Sequence, residues 1–299
     1  MKKIRLICDS SCDLTEKELQ KFGIETVQFM ITIDNGESYI QDKIGITNDE
    51  FYKLLIEDDG LFPKTSCPPT NDYYNIFKKY IDDEIICLTL TQKFSGSYSS
   101  AMAALDMIKE EFPESNIHII DSTLNTVSFG LLAKNVAKMI SNDMEIANIL
   151  EEIETVKITG RIFFTTTTLK YLEKGGRIGK FAVSVASKVQ LMPLVYMKDG
   201  DASVRGVVLG RKRSIKKVLS KVASFFKRHP EEKVQEYDFC IGYGSDKEEA
   251  DKFLIMVQDY VNTFTDRVKV SISQIGSTIG SHVGPYSLGI GFVKKPTLA

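Results

Sequence analysis

The sequence has no apolar run long enough to place the chain in a membrane. None of its stretches reaches the about 20 consecutive apolar residues that a spanning helix requires. The basic start MKKIRLICD ends its apolar part at Asp9, which is too early for the apolar region of a signal peptide. We therefore expect a cytoplasmic protein without an integral membrane segment.

The small net charge and the few cysteines argue against several other protein classes. The 38 basic and 40 acidic side chains give a net charge of −2, which offers no general footprint for nucleic acid. The five cysteines are odd in number and have no CxxC spacing, so neither a zinc site nor a disulfide framework is indicated. We expect reduced structural thiols and no metal site.

Strand patterns alternate with helix patterns along the first half of the chain. The β-rich runs KIRLICD, EIICLTL and NIHIID are each followed by a polar turn and a helical segment. This order predicts an α/β fold whose first domain has a mainly parallel sheet with flanking helices. In the second half, two strand patterns around KDGD indicate a hairpin, and hence an α+β domain with a mixed sheet. We place the first domain at residues 1–158 and the second at residues 159–299.

Polar loops follow three of the predicted strands of the first domain. Their sequences are DSSCD, TQKFSGS and DSTLNT. In parallel sheets the functional loops lie beyond the carboxyl ends of the strands, so these three segments are candidates for a site. The stretch LTQKFSGSYSSA, residues 90–101, has six hydroxyl side chains. Either one of them attacks a substrate, or they hold a ligand.

A serine nucleophile would need a histidine and an acid, and the sequence has only three histidines. His118 lies in an apolar strand and His229 follows a basic helix, so both are interpreted as structural or solvated. His282 lies in GSHVGPYSLGIG, where glycines let the backbone approach a ligand closely. A serine-dependent lipid hydrolase or acyltransferase that uses Ser95 and His282 is one alternative, although the GxSxG motif is absent.

Phosphate-binding motifs fail on their spacing. GGRIGKF, residues 175–181, resembles a P-loop, but its glycines and lysine are one residue too close, and Phe181 stands where a magnesium-binding Ser or Thr is needed. GIGFVKK lacks the third glycine of a dinucleotide fingerprint. We expect no cofactor, and a kinase-like ATP binder is the second alternative.

Hydroxyl side chains stand at two predicted helix starts. Thr65 and Ser66 precede a helix that begins after two prolines, and Ser95 or Ser97 stands where the next helix begins. Free N–H groups at helix N-termini favour an anion such as a carboxylate. Such hydroxyls also cap helices without any ligand. Spacing alone favours neither interpretation.

A resemblance to a known family favours the ligand interpretation. The chain resembles the DegV family of bacterial fatty acid-binding proteins in a series of motifs that occur in one order over nearly its whole length: DSSCDLT, KTSCPPT, LTQKFSGSYSSA, DSTLNTVSFG, LKYLEKGGRIG, VQLMPLVYMKDG, RKRSIKK and HVGPYSLGIGF. The resemblance implies two α/β domains and a long-chain fatty acid as ligand. It also implies a carrier that is not itself an enzyme. The carrier presents the acyl carboxylate to a separate fatty acid kinase, whose acyl phosphate product feeds phospholipid synthesis.

The resemblance also implies site residues. The carboxylate is expected to be held by two hydroxyl-bearing turns and a tail histidine, namely Thr65, Ser66, Ser95, Gly96, Ser97 and His282. The GGRI turn, residues 175–178, is expected near the kinase. We therefore expect a docking surface formed by Arg177, Arg211, Lys212 and Arg213. The chain departs from the family pattern at Thr91-Gln92-Lys93, which is bulkier and more charged, and at Leu209.

Overall fold

The computed structural model of the protein describes residues 3–34, 38–177 and 191–297. Within these ranges the strands are β1 (Ile4–Asp9), β2 (Ile24–Val27), β3 (Met30–Thr32), β4 (Tyr39–Gln41), β5 (Thr65–Ser66), β6 (Glu84–Thr89), β7 (Asn116–Asp121), β8 (Arg161–Thr165), β9 (Leu191–Lys198), β10 (Asp201–Leu209), β11 (Tyr237–Tyr243), β12 (Ser271–Gln274) and β13 (Leu288–Lys294). The α-helices are α1 (Glu16–Phe22), α2 (Asn48–Glu57), α3 (Thr70–Lys79), α4 (Ser97–Glu111), α5 (Thr126–Ser141), α6 (Ile146–Lys157), α7 (Lys170–Lys174), α8 (Arg211–Arg228), α9 (Lys247–Asn262) and α10 (Ser277–Val283).

The first sheet is parallel throughout, in the order β2-β1-β6-β7. Its central strands are apolar runs that are buried on both faces, as helices on either side of a parallel sheet require. The carboxyl ends of β1, β6 and β7 lie at one edge, so the three polar loops predicted there are neighbours. The buried Asp9 carboxylate accepts the Leu90 N–H at 2.7 Å and the Ser97 hydroxyl at 2.7 Å. This carboxylate therefore fixes the loop after β6 to the end of β1.

The second sheet is mixed, in the order β10-β9-β8-β13-β11-β12. Only its last pair, β11 and β12, is parallel among the described strands. The hairpin predicted around KDGD joins β9 and β10 through Asp199 and Gly200, which both have positive φ as this two-residue turn demands. The structure thus confirms the α/β class, with a parallel first sheet and a mixed second sheet.

Helix α5 packs between the two sheets. Twelve of its 16 residues are buried, which fits an apolar pattern on all sides of the helix. The backbone of α5 lies close to the segment after β1, because a side chain at Gly130 would lie 2.4 Å from the Cys12 carbonyl oxygen. Strand β13 lies close to α5 in the same way, because a side chain at Gly291 would lie 2.7 Å from Val127. Glycine at these two positions permits the contact.

A small antiparallel sheet, β4-β3-β5, joins the first half of the chain to α10. The Tyr52 hydroxyl of α2 donates to the Ile275 carbonyl at 2.9 Å. The chain passes from the first sheet to the second between α6 and β8, but the division into domains at residues 158 and 159 stays a prediction. In the part of the chain that the structure describes, none of the helices combines the length and apolarity needed to cross a bilayer.

Candidate functional site

A cavity of about 300 Å³ lies between α5, α10 and the second sheet. This volume is at the lower end of the about 300–1,000 Å³ usual for small-molecule sites. The lining is mainly apolar and comes from loops, strand faces and α10, with the large side chains Phe29, Leu90, Phe94, Val127, Ile162, Phe164, Leu172, Met197, Ile275, Ile279 and Val283. Such a lining suits a hydrocarbon chain.

A polar cluster interrupts this apolar lining. The Thr65 hydroxyl and the His282 Nε2 are hydrogen-bonded at 2.8 Å. The Arg177 guanidinium lies close enough to His282 to influence its charge, and Arg177 Nε donates to the Phe94 carbonyl at 3.2 Å. Ser95 follows Phe94 and also lines the cavity. We call Thr65, Ser95, Arg177 and His282 the polar cluster.

Thr65 is positioned by the small sheet. It pairs with Ile31 of β3, and the prolines at 68 and 69 then turn the chain into α3. Ser66 is exposed and also lines the cavity, with its hydroxyl 3.5 Å from the Cys67 carbonyl. The predicted Thr65–Ser66 turn is thus at the cavity.

The loop before α4 contributes Ser95 and Gly96 to the lining. Gly96 is the N-cap residue of α4 and has no side chain to cap the first turn, but the Ser95 hydroxyl accepts the Ser97 N–H at 3.1 Å. Ser97 itself is fully buried, and its hydroxyl donates to Asp9 and lies 2.7 Å from the Tyr73 hydroxyl. Its side chain is not part of the cavity lining. The prediction that the Ser97 hydroxyl holds a carboxylate is therefore corrected: this hydroxyl fixes the loop.

Two causes lower the pKa of His282 from 6.5 to about 4: burial is the larger, and the positive charge of Arg177 adds to it. The imidazole is therefore neutral near pH 7. Within the described ranges, its Nδ1 has no hydrogen-bond partner. A side chain at Gly175 would lie 2.2 Å from Nδ1, so glycine at this position makes room for the ring.

Arg177 lies in the cavity lining. Its side chain donates to the Phe94 and Gly175 carbonyls. The structure brings Arg177 to the cavity, and its expected role in docking stays a prediction. Ile178 and the rest of GGRIGKF, residues 178–181, lie outside the described residues.

The remaining docking residues stand at the start of α8. Arg211 forms an ion pair with Glu249 of α9 at 2.6 Å, whereas Lys212 and Arg213 are exposed. None of the three lines the cavity. The 18 residues of α8 include eight basic and no acidic side chains, so its outer face is strongly cationic. The role of Arg211, Lys212 and Arg213 in docking stays a prediction.

The cavity wall formed by the second sheet was missed by sequence reasoning. Ile162 and Phe164 of β8 line the cavity, whereas Phe163 between them packs in the core beneath α8. This alternation has the period of two that a strand produces. The pattern was visible in GRIFFTTTT, but it does not show which face meets a ligand.

One further lining residue has an unusual backbone. Thr126 has a φ of 42°, which is an outlier for a β-branched residue. Its hydroxyl donates to the buried Asp13 carboxylate at 2.6 Å, and Lys43 Nζ lies 4.0 Å from the other Asp13 oxygen. Burial is the main cause that raises the pKa of Asp13 to about 7. The contact that holds Thr126 therefore involves a group that titrates near neutrality.

Sequence relatives resemble the chain along its whole length. A family model described as "uncharacterised protein, DegV family" matches residues 3–295. A DegV domain-containing protein of Caldanaerobacter subterraneus is 30% identical over 99% of this chain and 100% of that protein. Another from Clostridium perfringens is 28% identical over 98% of this chain and 99% of that protein.

Solved structures show the same fold. The crystal structure of a protein from Eubacterium ventriosum, described as a fat acid (stearic acid)-binding protein, matches with a TM-score of 0.91 and 34% identity over 99% of both chains. A DegV family protein from Thermus thermophilus, described by its fatty acid binding, matches with a TM-score of 0.84 and 22% identity over 98% of this chain and 100% of that one. With a family match over nearly all its residues, this chain belongs to the DegV family.

Proposed function

We propose that the protein binds a long-chain fatty acid, with the acyl chain in the cavity and the carboxylate at the polar cluster. The observation that carries this proposal is an apolar cavity interrupted by two hydroxyls, a guanidinium and an imidazole. The likeness to a stearic acid-binding protein at 34% identity supports it.

The apolar wall accounts for the affinity. Burial of about 14 methylenes at about 0.8 kcal/mol each contributes on the order of 11 kcal/mol gross. Ordering the chain and the loss of free motion reduce this figure. The polar groups then need only select the carboxylate end.

The polar cluster suits a carboxylate. Arg177 supplies the positive charge, because His282 with its lowered pKa is neutral near pH 7. The hydroxyls of Thr65 and Ser95 supply donors to the carboxylate oxygens. Hydrogen bonds to a charged group are roughly twice as strong as neutral ones, so this end of the ligand is held specifically.

The geometry favours a carrier over the serine hydrolase. His282 Nε2 is bonded to Thr65, and the hydrogen bond formed by the Ser95 hydroxyl is to the Ser97 N–H. A triad needs the histidine to contact the nucleophile and an acid to orient the ring. No carboxylate bonds to His282 Nδ1 in the described chain, and a histidine with a pKa of about 4 is a weak base.

As the finer proposal, the protein is not itself an enzyme but presents the bound carboxylate to a fatty acid kinase in the cytoplasm. Lys212 and Arg213, with the neighbouring cations of α8, form the proposed docking surface. We infer an acidic facing surface on the kinase, since charges at the rim of an interface steer association. The ATP-binder alternative rests on GGRIGKF, of which residues 178–181 lie outside the described residues.

Ligand binding provides the test. Mass spectrometry of the purified protein should find a long-chain fatty acid. After delipidation, a 16-carbon fatty acid should bind at least about tenfold more tightly than its methyl ester, because the ester lacks the negative charge. Equal affinities, or no binding of either, would contradict the proposal. Ester hydrolysis that disappears in Ser95→Ala would support the hydrolase instead.

A further inference from the structure

A buried carboxylate outside the cavity lining ties together the two segments that form the Thr65–His282 hydrogen bond. This is Asp42, which follows β4 and is fully buried. It accepts hydrogen bonds from three hydroxyls: Ser10 at 2.8 Å, Thr278 at 2.8 Å and Ser277. Two of these donors are the first residues of α10.

Helix α10 depends on contacts from other segments. It has only seven residues, and its N-cap residue, Gly276, has no side chain to cap the first turn. Isolated helices shorter than about 12 residues are marginal in water, so tertiary contacts must set where this helix lies. Asp42 fixes its first turn through Ser277 and Thr278, and its negative charge is favourable at that end of the helix.

The opposite end of α10 carries His282. One helical turn before it, Thr278 and Ile279 also line the cavity. A rotation or shift of α10 would therefore move His282 relative to Thr65 and change the cavity wall at the same time.

Asp42 is equally tied to the segment that carries Thr65. Its N–H donates to the Phe29 carbonyl at 2.9 Å, directly before β3. Strand β3 pairs with β5 through Ile31 and Thr65. Ser10 adds a second link, because its hydroxyl accepts the Phe29 N–H at 3.1 Å while donating to Asp42.

We propose that Asp42 is a positioning residue for the fatty acid head group. Asp42 holds α10 against the small sheet β4-β3-β5 in the arrangement that lets His282 bond Thr65. The inference rests on the proposed function for its ligand, but its geometry can be tested without ligand. The small sheet and α10 are joined at two points, Asp42 with Ser277 and Thr278 at one end of the helix and Thr65 with His282 at the other. Loss of the Asp42 hydrogen bonds should therefore weaken the hydrogen bond between Thr65 and His282.

The test uses Asp42→Asn, which keeps the size of the side chain but loses one acceptor oxygen and the charge. His282 titration is followed by NMR of the ligand-free protein, where His118 and His229 serve as internal references. In the wild type the pKa of His282 is expected at about 4. In the variant it should rise toward 6.5, because a displaced ring is better solvated. Fatty acid affinity should fall about tenfold.

Asp246→Asn is the matched control. Asp246 caps α9, where its carboxylate accepts the Glu249 N–H at 2.8 Å, and it does not line the cavity. This variant makes the same chemical change at the start of another helix, where asparagine also caps the first turn, and it should keep the His282 titration and the fatty acid affinity of the wild type. Ser277→Ala removes one donor to Asp42, and should shift both readouts in the same direction by less. It also replaces Asp42→Asn should that variant fail to fold.

Each result either supports or contradicts the positioning role of Asp42. If folded Asp42→Asn or Ser277→Ala leaves the His282 titration unchanged, Asp42 has no positioning role and the inference is wrong. A fall in affinity without a change in titration would also contradict it. If the wild-type protein binds no fatty acid, the proposed function fails, whereas the ligand-free titration still tests whether Asp42 positions His282.

Discussion

The strands of the second sheet and the segments that connect strands line the same cavity with different side chains. Strand faces contribute apolar groups such as Ile162, Phe164 and Met197, whose positions are set by backbone pairing. Connecting segments contribute Ser95, Arg177 and His282, which are held by individual hydrogen bonds. In the proposed function, the apolar groups of these strand faces contribute to the affinity for the acyl chain, whereas the polar groups of the connecting segments select its head group.

Charge reversal in a connecting segment is expected to have the largest effect. Arg177→Glu places a negative charge beside the bound carboxylate, and such like-charge contacts cost several kcal/mol. Fatty acid affinity measured by calorimetry should fall more than about 1,000-fold. A long-chain alcohol, which has no charge, should lose much less affinity and serves as the matched ligand. Intact fatty acid binding by the variant would show that Arg177 does not bind the carboxylate and belongs only to the docking surface predicted from the sequence.

Filling the cavity from a strand face should produce a smaller, length-dependent effect. Ala202 of β10 is buried and lines the cavity. In Ala202→Phe the new ring should displace about three methylenes, which at about 0.8 kcal/mol each weakens binding of an 18-carbon acid about 50-fold. A 14-carbon acid should be affected far less, because its chain is shorter. Equal losses for both acids would show that Ala202 does not face the part of the acyl chain that only the longer acid has.

The smallest effect concerns Asp13, which lies in the connection after β1 and bonds Thr126. Its pKa is raised from 3.8 to about 7, chiefly by burial. The protonated form is therefore favoured by folding, and stability falls as the pH rises through about 7. In urea unfolding of the wild type, the free energy of unfolding should fall by about 1–2 kcal/mol between pH 6 and pH 8 because of this group.

Asp13→Asn should remove this part of the pH dependence, since an amide does not titrate. Lys43, Asp42, Cys12 and Asp9 also face this region, so the comparison is between the pH slopes of the variant and the wild type. An identical slope in both proteins would show that Asp13 is already ionised in the folded state at pH 6.

The order of strands and helices followed from local sequence patterns, and the resemblance to the DegV family led to the site residues, whereas the direction of individual side chains followed from neither. Alternating strands and helices placed three polar loops at one sheet edge, and the structure has them there. Ser97 was taken for a ligand-binding hydroxyl, but a carboxylate 88 positions earlier, Asp9, turns it inward. Arg177 was assigned to the docking surface alone, because nothing near it in the sequence shows that it bonds the Phe94 carbonyl.

The apolar wall escaped prediction for a related reason. Ile162 and Phe164 have the alternation of any half-buried strand, and only the packing of α5, α10 and the second sheet leaves a cavity against them. Asp42 was likewise invisible, because its partners Ser277 and Thr278 are more than 200 positions away. Contacts between distant segments decide these details.

The position of α5 has a consequence for how the molecule unfolds. A helix with twelve of 16 residues buried between two sheets belongs to the core of both. If either sheet melted alone, one side of α5 would meet water and its apolar contacts would be lost. The two halves should therefore gain and lose structure together, as one cooperative unit rather than as two independently folding parts.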